Sequence, residues 1–208
     1  MEKFTTLTGR ACPIDQSNLN TDQILPARFL KWTRAAGLGK VLFHDLRFRD
    51  QGEQNPDFCL NNPAWRDAKI IVAARNFGCG SSREAAVYAL YDYGVRCVIA
   101  PSFGDIFSGN AVQNGLLTAA VTDEEAADMI ALLTVTPVLP VTVDLERQTI
   151  LCGDRHFDFV IDPVRRTRLL NGWDDIDLTQ SYRERIATFR TKHRIERVWA
   201  APFSPTGS

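Results

Sequence analysis

Three short, mainly apolar runs recur through the middle of the chain, at residues 70–74, 96–100 and 116–121, each bounded by turn-forming residues. Continuous apolar runs of that length predict strands buried on both faces. Helical signals fall between them. Residues 85–90 read as helix, with Gly94 placed to close it. Asp105-Ile106-Phe107 opens a short helix bearing Asn110, and Asn114-Gly115 marks the next turn. Thr122-Asp123-Glu124-Glu125 supplies a cap and an acidic first turn for a helix running to about Leu133. Strands alternating with helices imply crossover units and a parallel sheet.

The pattern then changes period. Residues 138–144, 148–152 and 156–161 form short alternating runs around Gly153-Asp154, which predicts an antiparallel ribbon. From Pro163 the chain reads as helical: 165–170, a break at Asn171-Gly172, then 182–192 after a start at Thr179-Gln180-Ser181, with 201–208 a frayed tail. Residues 1–13 predict an opening strand ending near Cys12-Pro13. Residues 43–68 are irregular, but Phe43, Phe48, Phe58 and Trp65 punctuate them, so the segment is expected to pack down. The fold class is α/β: a central parallel sheet joined to a second, antiparallel sheet, with flanking helices. Residues 1–208 form one domain with a helical C-terminal extension from about 163.

Composition narrows the function. A net charge of −1 gives no reason to expect nucleic acid or a membrane surface, and no apolar run approaches a membrane span. The first residues show neither a signal-peptide core nor an arginine-rich transit character, so the expected location is cytoplasmic. Arg47 and Arg49 beside Asp45 and Asp50 read as solvated surface. The five cysteines, Cys12, Cys59, Cys79, Cys97 and Cys152, are far apart in sequence and contain no C-x-x-C pair, so no metal site is expected in this chain. Cys97 reads as a small core residue and Cys79 as structural, since no histidine lies near it in sequence.

The chemistry concentrates at Asn76-Phe77-Gly78-Cys79-Gly80-Ser81-Ser82-Arg83-Glu84. A strand, a glycine turn and a helix start in that order make an anion site. Ser81 with Glu84 has capping-box spacing, so Ser81 is expected at the N-cap, where first-turn N–H groups would stabilise its alkoxide. Arg83 can grip a carboxylate in bidentate fashion. Asn18 to Pro26 reads as a surface loop whose Asn and Asp cap the next element, residues 31–40 as a mobile basic loop carrying Arg34, and His44-Asp45 as a surface pair.

Asn76–Glu84 resembles the N-F-G-x-G-S-S-R-E signature of the aconitase superfamily swivel domain. Thr21-Asp22-Gln23-Ile24-Leu25-Pro26-Ala27 resembles its T-D-x-I-x-P-A block, and Ser102-Phe103-Gly104-Asp105-Ile106-Phe107 a third. Further matches at Phe43 to Phe48, Asn55 to Phe58 and Asn171-Gly172 spread the resemblance over nearly the whole chain. The branch it resembles is that of bacterial 3-isopropylmalate dehydratase small subunits. The resemblance implies a swivelling β/β/α domain that docks on a large subunit, whose cysteines hold a [4Fe–4S] cluster. Iron there acts as a Lewis acid while a hydroxy-diacid loses water and regains it on the neighbouring carbon, a step of leucine biosynthesis. It further implies Ser81 as the base, with Ser82, Arg83, Thr21 and Asp22 facing substrate and Arg28 and Arg34 as candidate contacts. Three positions depart from the family pattern: Ala85 replaces a histidine, Tyr88 a tryptophan, and Asn20 an acidic residue. They leave open a paralogous hydratase for another substituted malate, maleate or citraconate, and a swivel-fold binding module without activity.

Overall fold

The computed structural model describes residues 1–200. Seven strands form one sheet in the order β4-β3-β2-β1-β5-β6-β7. β1 (Thr6–Ile14) joins its two halves. Residues Ala11 to Ile14 pair in parallel with β2 (Ile70–Ala73), which is followed by β3 (Cys97–Ala100) and β4 (Leu117–Ala120). Thr6 to Arg10 pair antiparallel with β5 (Pro140–Asp144), which leads to β6 (Thr149–Cys152) and β7 (Arg155–Asp158). The sequence separates a parallel from an antiparallel sheet; the structure shares one strand between them. The burial of β1 records the change, because its first five residues are exposed or half-buried and its last four are buried. A bridge between Ala120 and Val160 draws the far ends of the sheet together, so the sheet curls.

Alternation along the parallel strands feeds two cores. Ile71, Ala73, Val98 and Ala100 face one side, where α3 (Glu84–Tyr93) and the 19–68 segment cover them with Val87, Leu90, Phe43 and Leu60. Ile70, Val72, Cys97 and Ile99 face the other, against Met129, Ile130 and Leu133 of α5 (Asp123–Val135). α5 begins as its sequence predicts: Thr122 accepts from the Glu125 N–H, and Glu125 returns a bond to the Thr122 N–H. α6 (Pro163–Asn171) has Asp162 as its cap, proline in its first turn and Gly172 at φ +70° to end it.

Four sequence expectations change. The 18–26 stretch is not all loop: α1 (Thr21–Ile24) forms there, with Asn20 and Gln23 as a capping box. Residues 31–40 close into 3-10 turns at Arg34–Ala36 and Leu38–Val41. Gly39 serves close packing in the second of these, since a Cβ there would lie 2.5 Å from the Tyr93 nitrogen. Arg47, in α2 (His44–Arg47), is not solvated surface. Burial lowers its pKa, it donates to the Leu42 carbonyl and Asn61, and it lies over the Phe48 and Tyr93 rings. Finally, Thr179-Gln180-Ser181 ends a helix instead of starting one. α7 (Asp175–Ser181) begins at a capping box on Asp174, and α8 (Arg183–Glu196) follows. The described residues divide into two compact units, one spanning Met1–Gly172 and the other starting at Trp173. The expected frayed tail lies outside the described residues.

Candidate active site

Strands β1, β2 and β3 run parallel, so the segments leaving them emerge at one edge of the sheet, the carboxyl edge where open α/β sheets bind ligands. Those segments carry the three sequence blocks. An isolated bridge ties Asn20, after β1, to Cys79, after β2, and a second ties Phe77 to Phe103, after β3. The Gly78 N–H donates to the Leu19 carbonyl at 2.7 Å, and the Phe77 N–H to the Ser102 carbonyl at 3.0 Å. The glycine loop is thereby held from both sides by its neighbours.

Two glycines in this loop have different reasons. Gly78, at φ +72°, packs against Phe107 of α4 (Asp105–Gln113), and a Cβ there would lie 2.3 Å from the Phe107 Cγ. Gly80, at φ +89°, has space around it, with Asn20 Cβ nearest at 3.5 Å. The first is fixed by packing and the second by backbone conformation.

Ser81 is not the N-cap. Arg83 occupies that position with no side-chain cap bond, and α3 starts at Glu84. Glu84 turns away from the expected capping box and accepts from Asn114 Nδ2 at 2.9 Å. The first-turn N–H groups of α3 are therefore not taken by a capping side chain; they lie at the positive end of the helix dipole, and the exposed Ser81 and Ser82 precede them in the chain. Ser81 lines a cavity of about 240 Å³ with Gly78, Gly80, Gly104, Asp105, Ile106 and Phe107.

The other residues singled out in the sequence fall into two groups. Thr21 and Asp22 meet the glycine loop. Thr21 is buried, 1% exposed, and its hydroxyl donates to the Ser81 carbonyl at 2.8 Å. Asp22 forms an ion pair with Arg83, whose side chain is 17% exposed. Arg28 and Arg34 are bound elsewhere. Arg28 grips Asp45 with both carboxylate oxygens and also meets His44 Nδ1; its guanidinium holds the Asp45 carboxyl below its ordinary value. Arg34 pairs with Asp92 on α3 and lies over the Tyr88 ring.

Asp105 and Ile106 are cavity residues that the sequence reading did not assign to the site. The available signal was their place just after β3, on the same edge as the glycine loop.

Two cysteines far apart in sequence meet in the fold. Cys12 and Cys59 lie side by side; burial raises the Cys12 pKa and the thiol beside it lowers that of Cys59. Cys97 is fully buried, which pushes its thiol far up, and Cys152 is buried in the antiparallel half. Among the described residues, no group of three or more His, Cys, Asp or Glu side chains is placed to hold a metal ion. The thiols of this chain thus do not fit the ligand set of an iron–sulfur cluster.

Residues 1–124 match the Aconitase C-terminal domain family. The chain is 50% identical to the 3-isopropylmalate dehydratase small subunit of Rhodospirillum centenum over 201 residues, covering 96% of this chain and 99% of that protein. It is 48% identical to the small subunit of Paramagnetospirillum magneticum, covering 96% of this chain and all of the relative. A crystal structure of 3-isopropylmalate dehydratase from Methanocaldococcus jannaschii superposes with a TM-score of 0.64 at 24% identity, covering 89% of this chain and 99% of the other, and shows a shared fold. The chain belongs to the family of 3-isopropylmalate dehydratase small subunits, within the Aconitase C-terminal domain family.

Proposed function

We propose that this chain supplies one half of the active site of an enzyme that isomerises 2-isopropylmalate to 3-isopropylmalate by dehydration and rehydration. It works in cytoplasmic leucine biosynthesis and is active only beside a large subunit. The observation that carries the reading is the placement of Ser81: exposed, on a loop fastened at both sides, lining a cavity with the start of α4, and two residues before Arg83 in the chain. Family membership implies a [4Fe–4S] cluster in the enzyme, and the large subunit is its holder in this reading, because the thiols here are scattered or buried.

The residues of this chain divide the remaining work. Ser81 takes the proton α to a carboxylate as the hydroxyl leaves the neighbouring carbon and the double bond forms; when water adds back, its hydroxyl goes to the deprotonated carbon and Ser81 delivers the proton to the carbon that lost its hydroxyl. Its alkoxide is stabilised by the first-turn N–H groups of α3 and the dipole behind them. Arg83 holds a substrate carboxylate through its planar fork, and Asp22 keeps that guanidinium in place. Ser82 donates to the same carboxylate. Arg28 and Arg34 would reach substrate only by exchanging Asp45 and Asp92 for a substrate carboxylate.

A paralogue for another substituted malate gains little from the departures in sequence. Asn20 works as the cap of α1, a role in which Asn and Asp are equivalent. Ala85 is half-buried against the core. Anaerobic assembly with the large subunit, followed by a panel of alkyl-malates and citraconate, tests the substrate. Preferential turnover of 2-isopropylmalate is expected; faster turnover of another diacid would replace the assignment.

A further inference from the structure

We infer that Thr21 is a positioning residue for the base, acting through the Ser81 backbone without touching substrate; the inference rests on the Ser81 reading above. Thr21 is too buried to meet a ligand in the cavity. Its two donors both serve the glycine loop: the backbone N–H goes to the Cys79 carbonyl at 2.9 Å, and the hydroxyl to the Ser81 carbonyl at 2.8 Å.

The second bond falls where the loop most needs it. Gly78 is packed tightly under Phe107, whereas Gly80 has only ordinary van der Waals neighbours, the nearest at 3.5 Å, and a glycine's torsional freedom. Any rotation at Gly80 moves Ser81 directly. Helix α3 cannot restrain the Ser81 carbonyl, because its ladder begins at Arg83 and Glu84. The Thr21 hydroxyl does restrain it, and by fixing the Ser81–Ser82 peptide plane it also sets the Cα–Cβ direction of Ser81. In a trans peptide the N–H points opposite the carbonyl, so the same bond turns the Ser82 N–H away from α1. One buried hydroxyl thus orients both the base and the next amide. α1 can do this because its Asn20–Gln23 capping box rigidifies the turn that presents Thr21.

The test compares Thr21→Val, Thr21→Ser, Ser81→Ala and the Thr21→Val/Ser81→Ala double variant, each assembled with the large subunit, by kcat and KM for 2-isopropylmalate. Thermal melts confirm that each chain folds. Valine keeps the shape and removes the donor; serine keeps the donor. Displacement of a reacting group by about 1 Å costs roughly a hundredfold in rate, so Thr21→Val is expected to lose about ten- to a hundredfold in kcat with little change in KM. Thr21→Ser should stay near the parent, and the double variant should be no slower than Ser81→Ala. A Thr21→Val enzyme with parental kcat beside an inactive Ser81→Ala overturns the inference alone. So does a Thr21→Ser enzyme as impaired as the valine variant, or a double variant slower than Ser81→Ala by the full Thr21 factor. Parental turnover by Ser81→Ala overturns the Ser81 reading itself, and this inference with it.

Discussion

Replacing each loop glycine with alanine separates packing from backbone strain. Gly78 and Gly80 both have positive φ, at +72° and +89°, so alanine at either position incurs the left-handed backbone cost of roughly 1–2 kcal/mol. Only Gly78 adds a steric term, since its new methyl would lie 2.3 Å from Phe107 Cγ while the nearest neighbour at Gly80 is 3.5 Å away. Overpacking of that kind costs about 1–3 kcal/mol, so Gly78→Ala should destabilise by about 2–5 kcal/mol and Gly80→Ala by about 1–2 kcal/mol. At roughly 2–4 °C per kcal/mol for a unit of this size, the two melting temperatures should differ by about 2–12 °C. Urea unfolding and thermal melts of the isolated chain measure both. Phe107→Ala supplies the control: with the ring gone, the extra penalty at Gly78 should vanish, leaving a coupling of about 1–3 kcal/mol. Equal destabilisation at the two glycines, or no coupling to Phe107, would refute the packing argument.

Four further outcomes follow from the same geometry. Arg83→Lys keeps the charge but loses the planar fork, so kcat/KM of the assembled enzyme should fall by about 1.5–3 kcal/mol in transition-state free energy while docking persists; near-normal kcat/KM would remove Arg83 from the substrate. Thr122→Ala removes a two-way cap and should lower stability by about 0.5–2 kcal/mol in urea unfolding, with turnover unchanged. Asp45 and Asp123 have pKa values held below the ordinary 3.8 by Arg28 and Arg75. A depressed folded value means that their contribution is complete above the unfolded pKa of about 3.9 and is lost as pH falls through the folded values, so melts should show these pairs weakening only below about pH 4. The chain purified alone and reconstituted anaerobically with iron and sulfide should stay colourless and inactive; stoichiometric iron on it would overturn the assignment of the cluster to the large subunit.

Most of the parallel half was legible because its strands are continuous apolar runs punctuated by glycine and capping residues. Thr122 starts one helix and Gly94 stops another where local chemistry alone says they should. The shared strand β1 was not legible, since a strand that changes partners halfway carries no mark beyond its own apolar pattern. Short-range signals failed where long-range partners competed. The Ser81–Glu84 spacing promised a capping box, but Asn114 takes Glu84 across thirty residues of sequence and Thr21 takes the Ser81 carbonyl across sixty. Arg28 and Arg34 were candidate substrate contacts in the sequence, where their ion-pair partners Asp45 and Asp92 cannot be seen beside them. Asp174 was passed over as a cap since its partner, Asp177, is not the Glu or Gln of the usual pattern.

The central claim is that Ser81 is the base, and the structure simplifies its test by removing the capping role. With Arg83 at the N-cap and no side-chain cap bond, Ser81→Ala should leave the stability of α3 untouched. The decisive measurement is single-turnover dehydration of 2-isopropylmalate by the Ser81→Ala enzyme assembled with its large subunit, beside a thermal melt of the isolated variant. A loss of about 10²- to 10⁴-fold in rate with an unchanged melting temperature is the expected result. Dehydration at the parental rate would contradict it and place the base elsewhere.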